Sequence, residues 1–276
     1  MKISTKEKEI RAYVMNYLEQ LEYKKMRKDL DKILESTTNL TNSSFPNQKM
    51  NQLMFILNLI PNGYFSVNNI YSYNAAVPKI GYYQDSMFEL ALPVFTGEGC
   101  CRHSAALLKL ILDELKIENE IVAVDTLRKD KNLAEIRMFL SEYHKKVIGG
   151  NHLTNYVSID NCDFFVDVAY EFEDSVFSYN DNGFINYFHN KDNEENCPFL
   201  FNYSPLYEER KDIRKIEPLT IEKQQYIKES YDKVSSDLED KLLDIILMKK
   251  ENEPYVEDIK TNYQKVLIKE RKLGLR

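Results

Sequence analysis

Apolar residues in the first sixty positions recur at helical spacing. Ile10, Val14, Tyr17, Leu18 and Leu21 follow one another at steps of one to four, and Leu30, Ile33 and Leu34 continue the pattern. Ser36–Ser44 is rich in Ser, Thr and Asn and predicts a loop. Pro46 is expected to open a second helix carrying Leu53, Phe55, Ile56, Leu59 and Ile60, with Pro61-Asn62-Gly63 as its stop signal. From about Tyr64 to Tyr207 the texture changes: aromatics and Gly/Pro punctuation gather there and apolar runs shorten. Glu120–Leu127, Thr154–Ile159 and Phe164–Ala169 predict strands. Asp160-Asn161-Cys162-Asp163 between the last two suits a tight turn, so a β-hairpin is expected, and Asp181-Asn182-Gly183 predicts a further turn. Helical periodicity returns from about Ile213. Ile227, Tyr231, Val234, Leu238, Leu242 and Ile245 form one stripe, which Pro254 is expected to interrupt before a final basic helix. The stripe reads as a packing face and not as a cofactor box.

The pattern divides the chain into an N-terminal helical region (1–63), a mixed α+β core (64–207) and a C-terminal helical region (208–276). Composition narrows the function classes. The 276 residues are 43% hydrophobic and 29% charged, as in globular domains that bury a core. A net charge of −7 with interspersed signs lacks the basic patch that nucleic acid requires. The apolar run Leu53–Ile60 falls well short of the ~20 residues of a membrane span. Charges interrupt the N-terminal MKISTKEKEIRAYVMNYLEQL where a signal peptide needs an apolar region. A cytoplasmic protein with no nucleic-acid or membrane partner is therefore expected. Four cysteines make no disulfide framework in a chain of this size.

The candidate chemistry centres on GEGCCRHSAALLKLILDEL, Gly97 to Leu115. Cys101, Ala105, Leu108, Leu112 and Leu115 share a helical stripe, and Leu107 and Ile111 add a second apolar face, so a largely buried helix is expected. Cys101 would occupy its first turn, where unpaired amides and the positive end of the helix dipole favour a thiolate. The same amides can hold the oxyanion formed when a thiolate attacks a carbonyl. A cysteine nucleophile also needs a base, and the base an orienting group. Of the four histidines, His103 lies on the same helix and points away, His144 sits among lysines and His189 in a polar stretch. His152 immediately precedes the expected hairpin. Asp167 lies on its second strand, and antiparallel pairing brings it opposite or diagonal to the start of the first. A carboxylate flanked by Phe164, Phe165, Val166 and Val168 calls for a partner. Cys101, His152 and Asp167 thus supply nucleophile, base and orienter.

Gly99-Cys100-Cys101-Arg102-His103-Ser104-Ala105 resembles the G-x-C-x-x-x-A nucleophile motif of the transglutaminase-like superfamily, part of the papain-like fold. In that family a buried helix follows the cysteine, then a strand, then a histidine opening a second strand and an aspartate on the next. The counterparts are Leu107–Leu115, Ile121–Val124, His152 and Val166-Asp167, and the resemblance covers about Gly97 to Tyr170. The motif sets Cys101 at the nucleophile position and Cys100 at the variable one beside it. The family's H-x-W-x-E is replaced by His152, Leu153, Thr154, Asn155 and Tyr156, and the chain contains no Trp, so the substrate class is not carried over. The R-G-G-x-C motif of arylamine N-acetyltransferases matches Thr96–Cys101 less well.

The resemblance implies a core in which the nucleophile helix packs on an antiparallel sheet, flanked by helical additions. It also implies cysteine-dependent acyl transfer at an amide or thioester carbonyl by a peptidase, amidase or protein-modifying enzyme. A protein or peptide substrate would be expected and no cofactor. Gln84, in GYYQDSMF, and Cys100 are secondary candidates for supporting the oxyanion. Water resolving the acyl-enzyme gives a hydrolase, and an amine gives an acyltransferase; the acidic, cytoplasmic reading favours water. The competing class is a scaffold that keeps the core without its chemistry, with the helical ends serving a partner or self-association. Zinc ligation by Cys100, His103, Cys162 and Cys197 lacks any recurrent ligand spacing. Glu171–Asp174 with Asp181-Asn182 lacks a cation-loop pattern, and the basic tail Lys265–Arg276 reads as a solvated helix end.

Overall fold

The computed structural model describes residues 5–60, 87–96, 101–124, 152–166, 168, 199–202, 213–215 and 220–272. Expected turns at Pro61–Gly63 and Asp181–Gly183, and strand positions 125–127, lie outside them. Helix α1 spans Thr5–Ser44, α2 Lys49–Leu59 and α3 Met87–Ala91, which runs into a 3-10 turn at Leu92–Thr96. Helix α4 is Cys101–Glu114. The strands are β1 Glu118–Val124, β2 His152–Ile159, β3 Cys162–Val166, β4 Phe199–Asn202 and β5 Ile213–Lys215. Helices α5, Ile221–Asp237, and α6, Leu242–Lys272, follow. The five strands form an all-antiparallel sheet in the order β3-β2-β1-β4-β5. The α+β class of the sequence reading holds at this level.

Several expectations are corrected. Ser36–Ser44 is helix, not loop, and completes α1. Its hydroxyls turn back onto the helix: Thr38 Oγ1 donates to the Leu34 carbonyl at 2.8 Å and Thr41 Oγ1 to the Thr37 carbonyl at 2.8 Å. Thr37, Thr38 and Thr41 are buried, so tertiary packing overrides weak local propensity. Pro46 does not open α2. Asn47 adopts a left-handed φ of 59°, and the helix starts only at Lys49. Pro254 does not interrupt α6, which runs through it. Pro254 and Lys250, whose carbonyl the proline cannot bond, are both exposed, so water can take the missing donor's place. The C-terminal stripe is not one helix either. A turn at 238–241 separates α5 from α6, after the weak helix formers Ser235, Ser236 and Asp237. Ile227, Val234 and Ile245 are buried, whereas Leu242 beyond the turn is exposed. Ile213–Lys215 is a strand rather than the start of the helical zone.

One continuous apolar cluster draws on Met26 and Ile33 of α1, Phe55 of α2, Leu107 and Ile111 of α4, Phe164 of β3 and Ile259 and Val266 of α6. Helix α2 is buried all round, from Met50 to Leu59. α1 and α6 pack along each other, joined by Ser36 Oγ donating to Asn252 Oδ1 at 2.7 Å and by a Lys25–Asp258 ion pair at 2.8 Å. α4 lies against β1 and β2.

Candidate active site

Helix α4 begins at Cys101, so the backbone amides of its first turn point out of the helix's N-terminal end. No acidic side chain stands in that first turn to neutralise the positive end of the dipole. Arg102, His103 and Ser104 are buried, as are Ala105, Ala106, Leu107, Leu108, Ile111 and Leu112 further along. The expected buried helix is thus present with Cys101 at its head. Arg102 Nε donates to His103 Nε2 at 2.9 Å, and both residues make further interactions. The His103 ring nitrogen Nε2 therefore accepts from a guanidinium.

The end of α4 fixes its direction against the sheet. Lys116 takes a left-handed φ of 55°; its amide donates to the Asp113 carbonyl at 3.0 Å and the Ile117 amide to the Leu112 carbonyl at 2.9 Å. This is a Schellman close, which reverses the chain directly into β1. Lys49, at the head of α2, donates its ammonium to the Leu115 carbonyl and covers the negative end of α4. Cys101 to Glu114 spans about 20 Å at a helical rise. Glu118 to Val124 returns about 20 Å at a strand rise. Val124 therefore comes back to the level of Cys101. In the β1–β2 ladder Val124 pairs with His152. Helix length, tight reversal and register together bring the backbones of Cys101 and His152 to the same end of the sheet.

A buried bond holds the two elements at that level. Asn155 Nδ2 donates to the Ala105 carbonyl at 3.1 Å. Asn155 is three residues into β2 from His152, and Ala105 is one turn into α4 from Cys101. Asn155 shares the helix-facing side of β2 with the buried Val157 and Ile159.

The hairpin forms as expected, with a shorter turn. Asp160 and Asn161, at φ 52° and 60°, are its two turn residues, and Cys162 already belongs to β3. Both residue types tolerate the left-handed region, which a two-residue hairpin turn requires. Register runs from Ile159↔Cys162 to Asn155↔Val166, with the Tyr156 and Phe165 rings 5.2 Å apart across the pair. β3 ends at Val166, whose carbonyl accepts from Thr154 Oγ1 at 2.6 Å. That carbonyl belongs to the peptide leading into Asp167. Asp167 itself lies outside the described residues, as do Cys100, Gln84, His144, His189 and Cys197. Cys162 is a free thiol, buried in β3; burial first, then Asp160 and Asp163, push its pKa up against a lowering by Lys223. It behaves as a structural residue.

Among the described residues, no group of three His, Cys, Asp or Glu is arranged to hold a metal. No helix among them is long and apolar enough to cross a membrane. One described groove lies between α1 and α6, lined by residues such as Lys32, Asn39, Asp244 and Tyr255 and by none from α4 or the sheet. Asn155 was not among the sequence candidates. Its signal was available: Leu153, Asn155, Val157 and Ile159 alternate along β2, and Asn155 is the polar exception on an apolar side. The Arg102–His103 pair gave no such signal, because adjacent helical residues do not ordinarily face each other. No family model, curated protein or solved structure matches the chain.

Proposed function

We propose that the chain is a cysteine-dependent acyl-transfer enzyme with a transglutaminase-like core, in which Cys101, His152 and Asp167 act as nucleophile, base and orienter. The observation that carries this reading is the return of β1 to the level of the α4 N-terminus, which sets the His152 backbone beside Val124 at the Cys101 end. Asn155, on the same strand as His152, ties β2 to α4 one turn from Cys101.

His152 then takes the proton of Cys101, and the thiolate adds to an amide or thioester carbonyl of a protein or peptide. The oxyanion is received by backbone amides at the head of α4. Asp167 holds the imidazolium. Collapse expels the amine or thiol, which takes the proton from His152, and leaves an acyl group on Cys101 as a thioester. Water or an amine then attacks the thioester with His152 again as base, releasing acid or new amide and restoring the thiol.

Acylation by p-nitrophenyl acetate tests this directly. The expected result is a burst of about one nitrophenolate per chain with an acetyl group on Cys101 by peptide mass spectrometry, abolished in Cys101→Ala and strongly slowed in His152→Ala. Acetylation spread over surface lysines, with no burst, would contradict it.

A further inference from the structure

Helix α5 grips the β2–β3 hairpin at its turn. Tyr226 Oη donates to Asp160 Oδ2 at 2.7 Å, and Lys223 donates its ammonium to the Asn161 carbonyl. The two side chains are three residues apart on α5 and so share a face. The helix behind them is anchored: Thr220 caps it by accepting from the Lys223 amide at 3.4 Å, and Ile227 and Val234 are fully buried. On the hairpin side both turn residues are left-handed, so the turn presents a defined carboxylate and carbonyl.

The position of this grip matters because β3 is an edge strand with only β2 beside it. The Asn155–Ala105 bond ties the hairpin to α4 part-way along β2, between the turn at Asp160 and the strand's start at His152. β2 is also paired with β1 from Ser158 to His152, so the three strands move as one sheet segment against α4, held by the Asn155 contact and by the grip on the turn. With the turn released, that segment can tilt about the Asn155 contact, and its His152 end shifts against the head of α4.

We propose that Tyr226 and Lys223 are positioning residues that hold the β2–β3 hairpin, and with it His152, in register with the start of α4. This rests on the acyl-transfer reading of Cys101 and His152. The helical C-terminal region then contributes to the site through the hairpin.

The test uses the full chain and four variants. Tyr226→Phe removes the donor, Asp160→Gly removes the acceptor while suiting the left-handed turn, Asp160→Asn keeps an acceptor, and Lys223→Met removes the second grip. Two quantities are read: amide hydrogen exchange in β2–β3, and the rate of Cys101 alkylation by iodoacetamide at pH 7. Tyr226→Phe and Asp160→Gly are each expected to raise hairpin exchange about fivefold, the factor of one ordinary hydrogen bond. Their combination should do no more than either alone, because they share one interaction. Lys223→Met should act independently, and Asp160→Asn should stay near wild type. Cys101 alkylation should slow in step with the exchange. Unchanged hairpin exchange in Tyr226→Phe and Asp160→Gly would overturn the grip. Raised exchange with unchanged Cys101 alkylation, while His152→Ala still slows it, would leave the grip purely structural and overturn the positioning role. Alkylation of wild type that ignores His152→Ala would instead overturn the triad, and the positioning of His152 with it.

Discussion

The Asn155 carboxamide donates to the Ala105 carbonyl at 3.1 Å, and this buried bond joins the second strand of the sheet to the helix headed by Cys101. Ala105 and Asn155 are 3% and 1% exposed, so no water substitutes for the contact. Asn155→Ala is expected to destabilise the fold by about 1–2 kcal/mol through loss of the bond and a small void. Asn155→Asp should cost more, because it removes the donor and buries a carboxylate. Urea unfolding at pH 7 checks both. An Asn155→Ala midpoint equal to wild type would show that the bond does not tie the strand to the helix.

Pro254 sits inside α6 and leaves the Lys250 carbonyl without its helical donor. Replacing an interior proline by alanine returns about 3 kcal/mol of helix propensity. The greater freedom of the unfolded chain takes back about 1 kcal/mol. Pro254→Ala should therefore stabilise the chain by about 1–2 kcal/mol, read as a higher urea midpoint with an unchanged slope. A loss of stability would mean that the proline packs against something or sets a bend that α6 needs.

Tyr226 carries a pH dependence. Burial first, then the bond to Asp160, pushes its hydroxyl from the ordinary 10.0 up to about 12. Between those values the folded chain keeps a proton that the unfolded chain gives up. The stability this supplies is complete below about pH 10 and is lost as pH rises towards 12. Unfolding free energies from pH 9 to 11 should therefore fall more steeply in wild type than in Tyr226→Phe. Parallel pH profiles would contradict the shift.

Asp29 on α1 works in the opposite sense. Its carboxyl is pushed above the usual 3.8 by burial and by the neighbouring Asp258, against a smaller lowering by Lys25. The ionised form is thus disfavoured by folding, and the penalty is in force above the folded pKa. Falling pH relieves it as the carboxyl protonates, fully so below the ordinary carboxylate range. Asp29→Asn should raise the melting temperature at pH 7 by about 2 °C or less, the scale of a small surface change in a chain of this size. The gain should vanish by about pH 3, where wild type is itself protonated. A gain that persists there would point to a cause other than charge.

The sequence was most informative where one local rule acted without competition. The helix after Cys101 was legible because Ala105, Leu108 and Leu112 repeat on a face that is in fact buried. The hairpin was legible because Asp160 and Asn161 are residues that accept a left-handed backbone. Errors arose where tertiary contacts outweighed local preference. Thr37, Thr38 and Thr41 would favour a loop in isolation, but buried against the body they bond back to their own helix or pack within it. Pro254 reads as a break but lies on the exposed side of α6, where a missing helical bond is least costly. The candidate site was legible as an order of residues along the chain. Its supports were legible only in part: strand alternation singles out Asn155, but its bond to Ala105, like that of Tyr226 to Asp160, joins positions 50 and 66 residues apart, and no short-range pattern marks such pairs.

The central claim is that Cys101 is an activated thiol served by His152, and alkylation by iodoacetamide from pH 5 to 9 tests it most directly. Modified cysteines would be mapped by mass spectrometry in wild type and His152→Ala, with Cys162 as an internal reference, since its buried thiol is held protonated. The account predicts fast, selective labelling of Cys101 at or below pH 7, slowed near neutral pH by loss of His152, while Cys162 stays slow. Labelling of Cys101 no faster than an ordinary thiol, with the same pH profile in both proteins, would contradict it.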